Sequence, residues 1–210
     1  DEIFRAVDQD HLERLELPGR APIVASVPAA LERAVIGDPP DPLLDPALLR
    51  ERLLAARDRR YALGHAEATT AFRLVHGEAD GIAGLSVDVY GDHAVLHLYR
   101  ELDPDAERGI AEVVLRLGFA GVYLKRRPTN ASVVVDTRRD EVAPRDPVVG
   151  SAATDPLVLR EHGIPYEVRL GDGLSTGIFL DQRDNRRRLR DVSRGARVLK
   201  HVEVPLQGIA

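Results

Sequence analysis

A chain of 210 residues, 44% of them hydrophobic, suits one medium domain or two small ones around a buried core. Its net charge of −5 argues against a generally basic nucleic-acid binder, and the lack of long apolar runs excludes a transmembrane helix or a signal h-region, so no membrane partner is expected. Cysteine is absent, which rules out a disulfide framework, a Cys-based zinc site and a cysteine nucleophile; a cytoplasmic location is the default expectation.

The chain opens Asp1-Glu2-Ile3 and contains no methionine, as a processed chain or a fragment does. Residues 1–45 are rich in Pro, Asp and Ala and lack a persistent period, and the run Pro39 to Pro46 reads as a linker. Asp45 followed by Pro46 predicts a helix start, with Leu48, Leu49, Arg52, Leu53 and Ala56 carrying the helix on to near Tyr61. Strands are predicted over 71–76, 85–90 and 93–99, the last two joined through Gly91-Asp92 as a hairpin. In the third of these, Ala94, Leu96 and Leu98 face one way, and His93, Val95, His97 and Tyr99 the other. Asp103-Pro104 opens a second helix with an Ile110, Val113, Val114, Leu117 stripe that Gly118 closes, and 121–125 is a further strand. A second linker spans 144–156. Beyond it come strands 157–160 and 164–170, a glycine-rich turn, a helix over 181–192 and the start of a buried strand at Arg197-Val198-Leu199.

The strongest chemical feature is the stretch from Gly171 to Arg186. A strand, a Gly-x-Gly-x-x-x-Gly turn and a helix suggest a phosphate cradle. The spacing is not that of the dinucleotide fingerprint, however, and Asp181 at the helix opening repels a pyrophosphate, which leaves a glycine-rich hairpin capped by an Asp as the plainer reading. Arg183, Arg187, Arg190 and Arg194 share one stripe of that helix, able to hold RNA phosphates or to stand as a solvated face paired with Asp184 and Asp191. Every basic residue except Lys125 and Lys200 is an arginine. Lys125-Arg126-Arg127 and Arg138-Arg139 each follow a predicted strand, where they form an RNA-contacting edge or ordinary surface charge. With five Tyr, four Phe and no Trp, stacking on single strands is not expected to dominate. The seven histidines show no metal-ligand spacing, so no metal site is expected.

Two long runs resemble a known family. The run from Thr70 to Asp92, TAFRLVHGEADGIAGLSVDVYGD, is similar to the FRLVNGEGDGLPGLVVDRYGD signature of the 23S ribosomal RNA cytosine-5 methyltransferases of the RlmI type. Residues 173–186, GLSTGIFLDQRDNR, resemble the second signature of that family, and Arg194 to Leu199 matches the strand that follows it.

The resemblance implies an α+β architecture: a small central α+β domain over 46–150, then a β-hairpin and the first helix and strand of a Rossmann-like methyltransferase domain over 151–210. Residues 1–45 would be a shortened or altered remnant of an N-terminal PUA-like segment. It further implies S-adenosylmethionine (SAM) as cofactor and 23S-type ribosomal RNA as substrate, with Thr176, Gly177, Phe179, Asp181, Gln182 and Arg183 bordering the cofactor pocket. Lys125, Arg126, Arg127, Arg187 and Arg190 are the candidate RNA contacts. After Leu199 the tail departs from the family pattern, and the family's catalytic cysteine has no counterpart among these residues. The expectation is a fragment of a methyltransferase acting on carbon 5 of cytosine, inactive by itself and with no catalytic residue of its own. The alternative is a non-catalytic RNA-binding module or adaptor, with a nicotinamide-dependent oxidoreductase a more distant third. Oligomeric state is not encoded in any feature of the sequence.

Overall fold

The chain divides into two compact units, Asp1–Pro40 and Asp41–Ala210. The computed structural model describes residues 40–128 and 136–196, nearly all of them in the second unit. Residues 1–39 of the expected N-terminal remnant, the strand expected before Arg138, the strand at Arg197-Val198-Leu199 and the tail lie outside the described residues.

Helix α1 (Pro46–Arg59) starts where predicted: the Asp45 carboxylate accepts hydrogen bonds from the Ala47 and Leu48 amides, and proline occupies the first turn, where it has no bond to lose. A single further helical turn, Tyr61–Gly64, follows it. Strands β1 (Ala71–His76), β2 (Leu85–Tyr90) and β3 (His93–Leu98) form an antiparallel meander, with Gly91 at a positive φ of 63° in the tight turn between β2 and β3. Helix α2 (Pro104–Leu115), capped by Asp103, crosses over so that β4 (Gly121–Arg126) lies parallel to β3. The sheet is completed by β5 (Val149–Gly150), antiparallel to β4, giving the order β1-β2-β3-β4-β5. The segment expected as a second linker is thus pinned at its middle by ladder hydrogen bonds to β4, a pairing that two residues cannot announce in sequence.

A register shift between Arg73 and Val75 turns both Leu74 and Val75 into the apolar layer under the helices. That layer gathers Leu49, Leu53 and Ala56 of α1, Ile110, Val113 and Val114 of α2, and Ala94, Leu96 and Leu98 of β3. The opposite sheet face is covered by the hairpin of β6 (Leu157–Glu161) and β7 (Ile164–Val168), whose Leu159 and Val168 pack with Tyr90, Val95 and Tyr123. Every residue of β2 and β3 is therefore buried, with helices on one side and the hairpin on the other. The hairpin is tied to the start of β1: the Thr70 amide donates to the Arg160 carbonyl at 2.9 Å, and the Arg160 amide to the Thr70 hydroxyl at 3.0 Å. Helix α3 (Arg183–Val192) follows a 3-10 turn at Leu180–Gln182. Among the described residues no helix is long and apolar enough to cross a membrane.

Candidate functional site

Between β7 and α3 the chain folds back on itself. The Arg169 amide donates to the Thr176 carbonyl at 3.2 Å, and the Leu174 amide to the Thr137 carbonyl at 2.9 Å. Gly173 sits at φ +69°, and a Cβ there would lie 2.7 Å from the Thr137 carbonyl oxygen, so both conformation and space demand glycine. Of the six residues expected beside a cofactor, Thr176 is buried and its hydroxyl is hydrogen-bonded to the Tyr90 hydroxyl at 2.9 Å. It therefore anchors the segment from behind. Gly177, Phe179, Asp181 and Gln182 are exposed, Phe179 to 70%, and Arg183 is half-buried. The Gln182 amide nitrogen donates to the Asp181 carboxylate at 2.9 Å, and the Asn185 amide nitrogen donates to the Gln182 carbonyl at 2.8 Å, which orders the first turn of α3. One turn on, Arg186 makes two hydrogen bonds to the buried Glu161 carboxylate, at 2.8 and 2.6 Å, locking α3 to the hairpin.

Behind this segment runs a polar network that the sequence did not single out. Arg73 donates to both oxygens of Asp88, at 2.7 and 3.1 Å, and Asp88 in turn meets Nε2 of His97 at 3.0 Å. The Arg127 guanidinium approaches Nδ1 of His97 at 3.2 and 3.1 Å and donates to the Leu174 carbonyl at 3.0 Å. A guanidinium only donates, so Nδ1 accepts, Nε2 carries the proton and donates to Asp88, and the imidazole is neutral. Burial pushes the His97 pKa down, and the flanking arginines add to this against the pull of Asp88. For Asp88, burial acts to raise the pKa, but the hydrogen bonds and charges of His97 and Arg73 outweigh it and hold the carboxyl low. Burial pushes the Tyr90 phenol up, and the Asp88 charge pushes it further, so its hydroxyl remains a neutral partner for Thr176. An aspartate and a histidine inside strands with both faces covered are the signal that could have found this network, because a buried charge needs a partner.

The residues expected to touch RNA fall into two groups. Lys125 is fully buried on the hairpin side of β4, opposite His97 in the register, and its amine has no hydrogen-bond partner among the described residues. Its expected role as a surface contact is corrected by this placement: strand alternation turns Lys125 inward, to the same face as Tyr123. Burial, with the neighbouring Arg127 charge, lowers its pKa to about 8. Arg126 is held by Glu107, with its Nε at 2.8 Å from the carboxylate, and Arg127 is engaged with His97 and Leu174. Arg187 and Arg190 are exposed on α3, where Arg190 reaches the His162 carbonyl at 3.4 Å. Arg138 and Arg139 are exposed in a turn, each near a carboxylate.

No family model matches the chain. Among curated proteins, the ribosomal RNA large subunit methyltransferase of Deinococcus radiodurans is 37% identical over 161 residues, covering 74% of this chain and 39% of that protein. The ribosomal RNA large subunit methyltransferase I of Aeromonas salmonicida is 30% identical over 149 residues, covering 70% of this chain and 36% of the relative. Among solved structures, one assigned as a methyltransferase and complexed with SAH (S-adenosylhomocysteine) superposes with a TM-score of 0.58 at 30% identity, over 70% of this chain and 35% of that one. The chain thus spans well under half the length of the proteins it matches. Over 70% of its length, this chain is a homologue of one part of the RlmI-type large-subunit ribosomal RNA methyltransferases.

Proposed function

We propose that the chain is part of a SAM-dependent methyltransferase that modifies large-subunit ribosomal RNA at carbon 5 of cytosine in the cytoplasm. The observation carrying this reading is the 37% identity over 161 residues to a ribosomal RNA large subunit methyltransferase; a homologous structure complexed with SAH supports the cofactor.

The segment from Gly177 to Arg183 supplies one wall of the cofactor cleft, and Thr176 fixes that wall to the sheet. When bound, SAM supplies an electrophilic methyl group on a sulfonium. The exposed ring of Phe179 suits the flat adenine, and the exposed carboxylate of Asp181 suits the positive end of the cofactor. Gln182 and Arg183 order the turn that presents them. Arg187 and Arg190 meet RNA phosphates, which position the strand without reading its sequence. Methylation at carbon 5 of cytosine calls for a nucleophile that adds to carbon 6, and a thiolate suits that step. This chain has no cysteine, so these residues alone transfer no methyl group by that route.

A thermal-shift titration of the chain with SAH tests the cofactor wall. The expected result is a rise in melting temperature that Phe179→Ala and Asp181→Asn diminish. Incubation with 23S-type RNA and methyl-labelled SAM should leave the RNA unlabelled. RNA binding with no response to SAH in any variant would assign the chain instead to the non-catalytic adaptor class.

A further inference from the structure

We propose that the cleft at the C-terminal end of α1 receives one unpaired nucleobase of an RNA strand, stacked on Tyr61; the assignment to RNA rests on the ribosomal RNA reading above. Tyr61 is 63% exposed, a large aromatic surface left open to solvent in a chain with nine aromatic residues of the Phe and Tyr types. Its ring stacks on His65 at a centroid distance of 3.9 Å and an interplanar angle of 28°, and Nδ1 of His65 is 2.9 Å from the Tyr61 carbonyl. The pair is therefore a preset platform, with the imidazole backing the phenol ring and the backbone contact holding the imidazole in place.

Beside the platform lies a cavity of about 440 Å³, within the usual size range of small-molecule sites. Its floor is apolar, with Phe72, Leu74 and Phe119, and its rim carries Arg57 and Glu67. A second cavity of about 350 Å³ shares Arg57, Gly64, His65, Phe72 and Leu74 with the first and reaches Tyr61 itself. An apolar slot flanked by an aromatic face is the shape a flat heterocycle fills.

The rim decides the chemistry. Arg57 pairs only with Asp58 among the described residues, a contact between two exposed side chains at 3.2 Å that yields readily to a phosphate. Arg59 and Arg60 are both engaged with the buried Asp80, Arg60 while also lining the second cavity. Glu67, exposed and lining the first cavity, repels phosphate and can accept hydrogen bonds from an exocyclic amino group or ring N–H. Arg57 lines both cavities, Glu67 the first and Tyr61 the second, and this combination of cation, acceptor and stacking surface matches one nucleotide with its base against Tyr61 and its phosphate toward Arg57. An acyl chain has no use for that polarity.

The chain has no tryptophan, so Tyr61→Trp installs a single indole reporter on the platform. This variant is titrated with a single-stranded oligoribonucleotide, with the same strand carrying abasic sites, with free adenosine monophosphate and with SAH, while fluorescence polarisation of a labelled strand follows binding to every variant. The expected result is quenching by the intact strand and little by the abasic strand. Tyr61→Ala should bind the strand about tenfold more weakly with an unchanged melting temperature, and Tyr61→Phe should bind normally. Quenching by adenosine monophosphate as tight as by the strand would overturn the strand assignment. If the strand binds, leaves the indole reporter unquenched and does not distinguish Tyr61→Ala, the cleft proposal fails and the ribosomal RNA reading stands. Quenching by the strand without any response to SAH keeps the cleft and removes the methyltransferase reading, and absence of RNA binding in every variant removes both.

Discussion

The hydroxyls of Tyr90 and Thr176 meet at 2.9 Å in a buried layer, joining the end of β2 to a glycine-rich turn 86 positions later in the chain. Neither group has water to fall back on, so each stands as the other's solvation. Together with the bond from Arg127 to the Leu174 carbonyl, this contact fixes the height at which Gly177 and Phe179 emerge from the sheet.

Removing either hydroxyl leaves the other buried and unpaired. Tyr90→Phe and Thr176→Val are each expected to cost about 1–2 kcal/mol, measured by urea denaturation. The double variant should cost clearly less than the sum, with a coupling of about 1 kcal/mol. Strict additivity would mean that the two groups do not share a bond.

His97 gives the fold an acid-sensitive element. Its pKa is lowered in the folded state, so as pH falls below the ordinary value of about 6.5 the unfolded chain takes up the proton first. The stability due to the neutral imidazole is therefore present above that pH and is lost as pH falls toward the folded value. Comparing the urea midpoint of the parent with that of His97→Gln between pH 7.5 and 5 should show a steeper acid loss in the parent. A parallel pair of curves would refute the neutral assignment.

Lys125 acts in the alkaline range. Its amine has a folded pKa of about 8 against an ordinary 10.5. Between those values the unfolded chain binds more protons than the folded one, so stability rises with pH across that window, by about 3 kcal/mol at its upper end. Lys125→Met removes a buried charge and retains the apolar stem. It should raise the melting temperature at pH 7 and flatten the alkaline rise, as followed by circular dichroism. A variant less stable than the parent at pH 7 would mean that the amine is satisfied by a partner.

Much of this architecture was readable from residue spacing. Asp45-Pro46 and Asp103-Pro104 each supply a capping carboxylate followed by a proline that needs no donor, and both helices begin where those pairs stand. The β2–β3 hairpin followed from Gly91-Asp92 between alternating strands. The burial of Lys125 was hidden because a basic run reads as surface, whereas β4 lies inside the sheet and turns alternate residues into the hairpin layer. Strand β5 was invisible because its ladder bonds come from its neighbour and not from any propensity of Val149-Gly150. The Asp88–His97 network escaped for a related reason. Its members are scattered over β1, β2, β3 and the end of β4, and only the register brings them together. The exposure of Phe179 and Asp181 against the burial of Thr176 likewise depends on the Tyr90 contact, which no local pattern encodes.

The anchors of the glycine turn all belong to parts of the chain made long before it. Thr176 holds on to Tyr90, Leu174 is gripped by Arg127 at a separation of 47 residues, and Arg186 fastens to Glu161 at a separation of 25. Closing such wide loops has an entropic cost that only a finished docking surface repays. The turn's shape therefore depends on meander, crossover and hairpin together, and an isolated peptide of the same residues is not expected to hold it.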